Sequence, residues 1–376
     1  MKKLGKVLWI SITVLAVLIF LLTSATAYAS PLHFPFATLL SIGYLPILAL
    51  YIIITTVCFF KSKRIAIVLI LLLFAGYKNL SSTMGLNVFK PVWKKAKEKG
   101  TIRVMSWNVN RFGNPYASKD SANSIRQQML RFIKEQQPDI LCLQDFKMSE
   151  IVGTNQKYFV DNIGDILEAG KFQQYFYPFY YEYNGFNYCD KFGVAIFTKL
   201  PIIDTGSFSN EGQLQEEKTG FIDLQFESKR LRVFTSHLSS FSIWPKDNAG
   251  IKYLEGDSSK IKTRNIVSKL NYLGKLHAHE ADVIKFHLNK SPFPVLFMGD
   301  LNSVPSSYVY HKLSNNLSDA FLTNDYGIGG TYNTIFPKLR IDVMLHSKEF
   351  EVVQFIRPAN GLSDHYPIIA DIRWKQ

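Results

Sequence analysis

Cysteine is scarce. Cys58, Cys142 and Cys189 are odd in number, widely spaced and set mostly in apolar runs, which excludes a disulfide framework and leaves the redox compartment open. No close Cys/His spacing occurs, which argues against structural zinc. Acidic residues are almost missing from the first quarter: residues 1–99 hold twelve Lys/Arg against Glu98 alone. Of the 43 basic and 30 acidic residues in the 376-residue chain, 31 and 29 are left for the remainder, so +11 of the net charge of +13 sits at the N-terminal end. A nearly neutral remainder gives no overall electrostatic argument for DNA or RNA, and bases beside apolar segments read as topology signals. Internal repeats are lacking, and a composition of 47% hydrophobic, 14% aromatic and 19% charged residues excludes a low-complexity chain.

What the N-terminal part has instead is long uncharged runs. Residues 7–28 (VLWISITVLAVLIFLLTSATAY) and 36–60 (FATLLSIGYLPILALYIIITTVCFF) are each long enough at helical rise to cross a bilayer. Lys2, Lys3 and Lys6 ahead of the first run, with Ala27-Tyr28-Ala29 after it, also have the form of a cleavable signal, but the second run keeps the chain in the membrane either way. A third run, Ile65 to Tyr77, is thirteen residues and spans only if it extends through Lys78 towards Met84 with that lysine snorkelling. Lys61, Lys63 and Arg64 put both ends of the first hairpin in the cytoplasm. A spanning third run then exports everything after it, although Lys90, Lys94, Lys95, Lys97 and Lys99 pull the other way. The expectation is that 65–84 spans. Residues 1–84 thus read as a transmembrane region of two or three helices, 85–100 as a juxtamembrane linker and 101–376 as one globular domain.

From Thr101 onward short apolar strands alternate with helices. Strand patterns occupy 102–107, 139–144, 192–198, 220–226, 231–238, 293–300, 341–346 and 365–372, and helical patterns fit Ser121 to Gln136 and about Ser258 to Asn289. The later strands follow one another through short turns, which favours a mixed, mainly antiparallel α/β architecture. His277, His279 and His287 on the long helix make no i,i+4 metal pair and read as a solvated face. The aromatic run 172–188 reads as a packed strand and loop, since few basic residues accompany it.

Several strands end in an acid, amide or imidazole. Asn108 and Asn110 follow IRVMSW, Asp145 follows DILCLQ, His237 closes VFTSH, Asp300 and Asn302 follow PVLFMG, and Asp364 and His365 precede YPIIADI. Each taken alone is a turn former or a core histidine. Together, on one rim of a sheet, the acids and amides among them are hard oxygen donors suited to Mg²⁺ or Mn²⁺.

WNVNRFG, PDILCLQDF, FGVAIFTKLPI, VFTSHLSS, PVLFMGDLNSVPSS, LRIDVML and LSDHYPI stand in the order found in the endonuclease/exonuclease/phosphatase superfamily, which the chain resembles over about 101–374. The resemblance implies a four-layer α/β sandwich, two packed mixed sheets flanked by helices, and a metal-dependent phosphoesterase with its site at one rim. Position by position it implies Asn108, Asp145 and Asp364 as metal contacts, and Asp300 as the group that aligns or deprotonates water. Asn302 and His237 then serve as phosphate holders, Asn110 as a further substrate contact, and Asp342 as the acid that orients His365. Asp145 departs from the family's usual Glu by one methylene.

Such groups suit a phosphodiester, whose negative charge repels a nucleophile unless a cation and an imidazolium neutralise it. Of the substrates open to the superfamily, a lipid head group is favoured by the apolar N-terminal runs. A nuclease and a catalytically silent binding module are the alternatives. The expected partners are the lipid bilayer and a phosphate-ester substrate, with no protein partner inferable. The expected location is a bacterial-type inner membrane with 101–376 outside the cytoplasm.

Overall fold

The computed structural model describes residues 2–89, 92–113, 119–151, 161–184, 188–210, 217–240, 263–335 and 337–375. Two compact units make up the chain. The first comprises Met1–Met84, Val304–Lys312 and the described part of Trp244–Ala278. Its N-terminal helices are α1 (Lys2–Ser24), α2 (Ala37–Ile42), α3 (Tyr44–Lys61), α4 (Lys63–Leu73) and α5 (Tyr77–Thr83). Three stretches are long and apolar enough to cross a membrane: Leu4–Ala27, Tyr44–Lys61 and Lys63–Thr83.

The second apolar run is not one helix. It breaks at Gly43, so α2 stands apart, and Pro46 falls in the first turn of α3, where its missing N–H forfeits no helical bond. The third run does continue past Tyr77, through a 3-10 turn (Phe74–Gly76) into α5, with the Lys78 ammonium 4.1 Å from the centre of the Tyr28 ring. Gly76 is a point of close approach, since a Cβ there would stand 2.7 Å from Phe20 Cζ. Phe20 in turn stacks on Tyr51 at 4.2 Å, and the Tyr51 hydroxyl donates to the Leu69 carbonyl at 2.8 Å, which satisfies a buried phenol.

The second unit, Gly85–Ile243, His279–Ser303 and Leu313–Gln376, carries the sheets. Its strands are β1 (Gly85–Leu86), β2 (Ile102–Asn108), β3 (Ile140–Ile151), β4 (Gln174–Phe176), β5 (Phe179–Asn184), β6 (Tyr188–Thr198), β7 (Ile202–Ser209), β8 (Lys218–Phe226), β9 (Lys229–His237), β10 (Val295–Asp300), β11 (Ser318–Asp319), β12 (Tyr326–Gly327), β13 (Asp342–His346), β14 (Phe350–Ile356) and β15 (Ile368–Trp374). The remaining helices among the described residues are α6 (Lys119–Gln136), α7 (Asn162–Gly170), α8 (Thr263–Asn289), α9 (Tyr308–Ser314) and α10 (Ala320–Asn324). One sheet has the order β14-β15-β2-β3-β6-β4, with β5 also on β6, and the other β11-β13-β10-β9-β8-β7. Only β2–β3 and β9–β10 pair in parallel among these.

Alternation along the strands explains the layering. Val104, Ile140, Cys142 and Ile196 of the first sheet meet Leu224, Val233, Leu296 and Met298 of the second in one buried cluster. Their neighbours Met105, Trp107, Leu141, Leu143 and Phe197 point the other way, against Met129 and Ile133 of α6 and Ile163 and Ile166 of α7. Central strands buried on both faces read as near-continuous apolar runs, which is why the sequence exposes them. The fold is the α/β arrangement of two mixed sheets with helices that the resemblance implies.

Seven strands have no counterpart among the sequence patterns: β1, β4, β5, β7, β11, β12 and β14. The aromatic run supplies β4 and β5, while residues 185–187 lie outside the described residues, as do 258–262 of the expected long helix. His277 corrects the reading of a solvated face: Leu273, Leu276, Ala278 and Ala281 bury that side of α8 and His277 with it. His279 is exposed, and His287 stacks on Phe208 at 3.7 Å. The stretch 85–100 begins as a strand, with Gly85 paired to Gly327 and Leu86 to Tyr326.

Candidate active site

Strand register brings the polar residues to one rim. In the parallel ladder Asp300 lies opposite His237, and in the antiparallel one opposite Asp342, so three ionisable groups stand in a row across β9, β10 and β13. Asn108, at the end of β2 in the other sheet, donates from Nδ2 to Asp300 Oδ2 at 2.9 Å and ties the two sheets together. The orientation of that amide is set by Asn110, whose backbone N–H donates to Asn108 Oδ1 at 3.1 Å. The second Asp300 oxygen accepts the Asn302 N–H at 2.8 Å. Asn302, at φ 45°, takes the left-handed conformation that amides tolerate, and its Nδ2 reaches the Leu238 carbonyl at 2.8 Å and His237 Nε2 at 3.3 Å.

His365 completes the row. Its Nδ1 is 2.9 Å from Asp342 Oδ2 and its Nε2 3.6 Å from Asp300 Oδ2, while His237 Nε2 is 3.8 Å from the same oxygen. With Nδ1 donating to Asp342, Nε2 is the nitrogen left to face the reacting group. Ser363 fixes the approach: its hydroxyl donates to the Asn108 carbonyl at 2.9 Å and accepts the His365 N–H at 3.3 Å. Asp364 Oδ1 lies 3.1 Å from that hydroxyl.

Asp145 sits on a β-bulge. The β3–β6 register slips between Leu143 and Phe146, and Asp145 adopts φ 44°, the left-handed region that Asp, like Asn, visits as a single residue. The strand that the sequence ends at Gln144 therefore continues to Ile151. Among the described residues, the acids and histidines whose ligating atoms lie within 4.8 Å of one another are Asp300, Asp342 and His365. Asp145 and Asp364 stand outside that group. Asp342 Oδ1 is buried with no hydrogen-bond partner, an acceptor lone pair available to a cation.

A family profile described as the Endonuclease/Exonuclease/phosphatase family matches residues 105–365. The chain belongs to that family. It is therefore a metal-dependent phosphoric ester hydrolase, of a family that includes nucleases and phosphatases. A domain of unknown function (DUF8431) matches residues 5–83. No curated protein matches the chain. Among solved structures, the endonuclease/exonuclease/phosphatase from Beutenbergia cavernae DSM 12333 is similar at 15% identity and a TM-score of 0.52, covering 73% of this chain and 72% of that one. A functionally unknown conserved protein from Enterococcus faecalis V583 gives 15% identity and 0.51, over 73% and 100%. The human Nocturnin catalytic domain, solved with a bound sulfate anion, gives 16% identity and 0.50, over 74% and 97%. These likenesses concern the fold.

The electrostatics of this phosphoesterase centre on its two histidines. Burial pushes both imidazoles down, but facing carboxylates outweigh it: Glu217, Asp300 and Asp145 bring His237 up to about 10, and Asp342 and Asp300 bring His365 up to about 9. Burial raises the Asp300 carboxyl, with its two imidazole neighbours pulling the other way.

Glu217 stands at this rim as well, although the sequence patterns do not single it out. Its Oε2 lies 3.6 Å from His237 Nδ1, and both atoms are buried with no hydrogen-bond partner, so they face each other across a gap slightly longer than a hydrogen bond. Glu217 also accepts a hydrogen bond from the Tyr180 hydroxyl, whose pKa is raised well above 10 by burial and by Glu217. Behind it Glu280 accepts from the Ser239 hydroxyl at 2.8 Å, and burial, then Glu217, push its carboxyl up to about 8. A signal for Glu217 exists in the hairpin: β8 and β9 pair antiparallel with Gly220 opposite Thr235, so the chain just ahead of Gly220 runs towards the level of His237.

Proposed function

We propose that this enzyme is a membrane-anchored phosphodiesterase that cleaves a lipid head-group phosphoester by in-line attack of water. The observation that carries the catalytic part is Asp300 held between two imidazoles, at 3.6 and 3.8 Å, with Asp342 orienting one and Glu217 facing the other. The donor set is rich in carboxylate and amide oxygens, which fits Mg²⁺ or Mn²⁺. Asp145 and Asp364, with Asn108, would hold the metal, because a protonated His365 has no lone pair to offer one. The bound metal supplies positive charge against the phosphoryl oxygens. Asp300 takes the proton of the attacking water, its raised pKa making it a stronger base than an ordinary Asp. Asn302 and the His237 imidazolium hold the phosphate, and His365 offers its Nε2 proton to the charge that develops at phosphorus or on the leaving oxygen. Asn110 holds Asn108 in place through its main chain.

The lipid preference is supported by the three membrane-length stretches in the same chain and by the near-neutral charge of residues 100–376. Sphingomyelin, phosphoinositides, inositol phosphates and plasmid DNA, each assayed with Mg²⁺, Mn²⁺ or Ca²⁺ on the full chain, test it. The expected result is turnover of a lipid and full loss on EDTA treatment, restored by added metal. Turnover of DNA alone favours the nuclease reading, and activity that survives exhaustive chelation refutes the metal assignment.

The same reading places residues 101–376 outside the cytoplasm, since three spans starting from the basic N-terminus end on the far side. Alkaline phosphatase fused after Gln376 should be active in a bacterial host. A fusion that fluoresces as green fluorescent protein while its phosphatase counterpart is silent would place the domain inside.

A further inference from the structure

The second unit carries an apolar surface that its own core does not use. Leu86 is 73% exposed, Val88 65%, Phe89 99%, Val92 83%, Tyr326 56% and Ile328 39%. Isolated exposed apolar residues are normal, but these belong to one short ribbon and the residues next to it. In that ribbon Leu86 and Tyr326 are direct cross-strand partners of β1 and β12, and so share a face. The ribbon is built firmly. The Asn87 amide donates to the Leu322 carbonyl at 2.8 Å and its backbone N–H to the Asp325 carbonyl at 3.3 Å. Gly85 is packed so closely that a Cβ would meet the Asp325 carbonyl oxygen at 2.5 Å. The apolar stretch ends at Val92, because Trp93 turns in to lie under the Arg103 guanidinium at 4.6 Å.

We propose that this ribbon is a membrane-interface element, with Leu86, Phe89, Val92 and Tyr326 seated among lipid head groups and upper acyl chains. Two observations commit the occupant to lipid rather than protein. The chain reaches Leu86 only three residues after the last membrane-length stretch ends at Thr83, so the ribbon lies within about 10 Å of chain length from that end. The sequence from Lys63 to Lys97 contains no acidic residue, while Lys94 and Lys95 follow the apolar tip, the arrangement of an element that meets an anionic lipid surface. The inference rests on residues 4–83 spanning a membrane and deepens the proposed function. Beyond Gly327 the chain runs five residues to Tyr332, whose ring centre is 5.0 Å from that of His365. The chain that forms the ribbon thus continues into a wall of the site.

The test uses the full chain in nanodiscs, with an environment-sensitive fluorophore on Phe89→Cys or, as a control, on Ser228→Cys in the exposed β8–β9 turn. Cys58, Cys142 and Cys189 are buried, so labelling is directed to the new thiol. Lipids bearing a nitroxide near the head group should quench the label at 89 by at least about twofold more than at 228, with blue-shifted emission. Equal quenching at both positions, or a blue shift at 89 that depends on protein concentration rather than on nitroxide lipid, would overturn the proposal, the latter in favour of a second copy. Failure of the chain to enter nanodiscs would refute the anchor itself. The readout needs no turnover, so it is independent of which substrate is cleaved. In turnover assays, Phe89→Ser with Val92→Ser should raise KM for a bilayer substrate about tenfold and leave kcat on a soluble phosphodiester unchanged.

Discussion

Asp300→Asn should lower kcat/KM by at least about 10³-fold, roughly 4 kcal/mol of transition-state stabilisation. The substitution preserves shape and removes both the base and the charge between two imidazoles. It also reverses a hydrogen bond, because the two carboxylate oxygens accept from Asn108 Nδ2 and the Asn302 N–H, and an amide at 300 must turn its own NH₂ against one of those donors. A stability cost of about 1–3 kcal/mol follows from that donor–donor conflict, seen as a lower thermal midpoint with cooperative unfolding retained. Turnover close to wild type on the best substrate, in a folded variant, would show that Asp300 is not the base.

The second large effect is on the pH profile. Acting as an acid requires His365 to carry its proton, and with its pKa brought up to about 9 the activity should hold through neutrality and fall as pH rises through about 9. Asp342→Asn removes the largest of the carboxylate contributions that offset burial, so the alkaline limb should move down by about one pH unit or more. Glu217→Gln should do the same to the His237 ionisation, which stands near 10 in the native enzyme. The stability contribution has the matching sign. A folded pKa raised above the ordinary imidazole value stabilises fully below about 6.5, and that contribution is lost as pH rises through about 9. kcat/KM measured from pH 6 to 10 for the three proteins decides it; an Asp342→Asn limb that coincides with wild type would remove Asp342 from its orienting role.

Where a polar residue ends an apolar strand, its position along the chain is legible in the sequence. His237, Asp300 and Asp342 come together because three adjacent strands end or begin at one level, and each strand is apolar enough to be read from its pattern. Glu217 was hidden for the opposite reason: it stands among Glu211, Glu216 and several glutamines in a polar stretch, and only the pairing of β8 with β9 marks it off from them. Strand β7, IIDTGSFS, is an edge strand with exposed positions and no apolar alternation to reveal it. The break at Gly43 was equally silent, because a glycine within an uncharged run is compatible with a continuous helix. Asp145 was placed correctly in the chain, but its bulge depends on the register of β3 against β6, which neither strand encodes alone.

The row of His237, Asp300 and Asp342 also sets when during its own synthesis the enzyme becomes dangerous. Its members lie 63 and 42 residues apart, and His365 comes 23 residues further on. A centre assembled from such distant contacts forms late in folding. No stretch of the chain that stops before His365 can hold Asp342 against that ring or present Asp300 between two imidazoles. Hydrolytic capacity therefore arrives in one step, once the segment that carries His365 has been made.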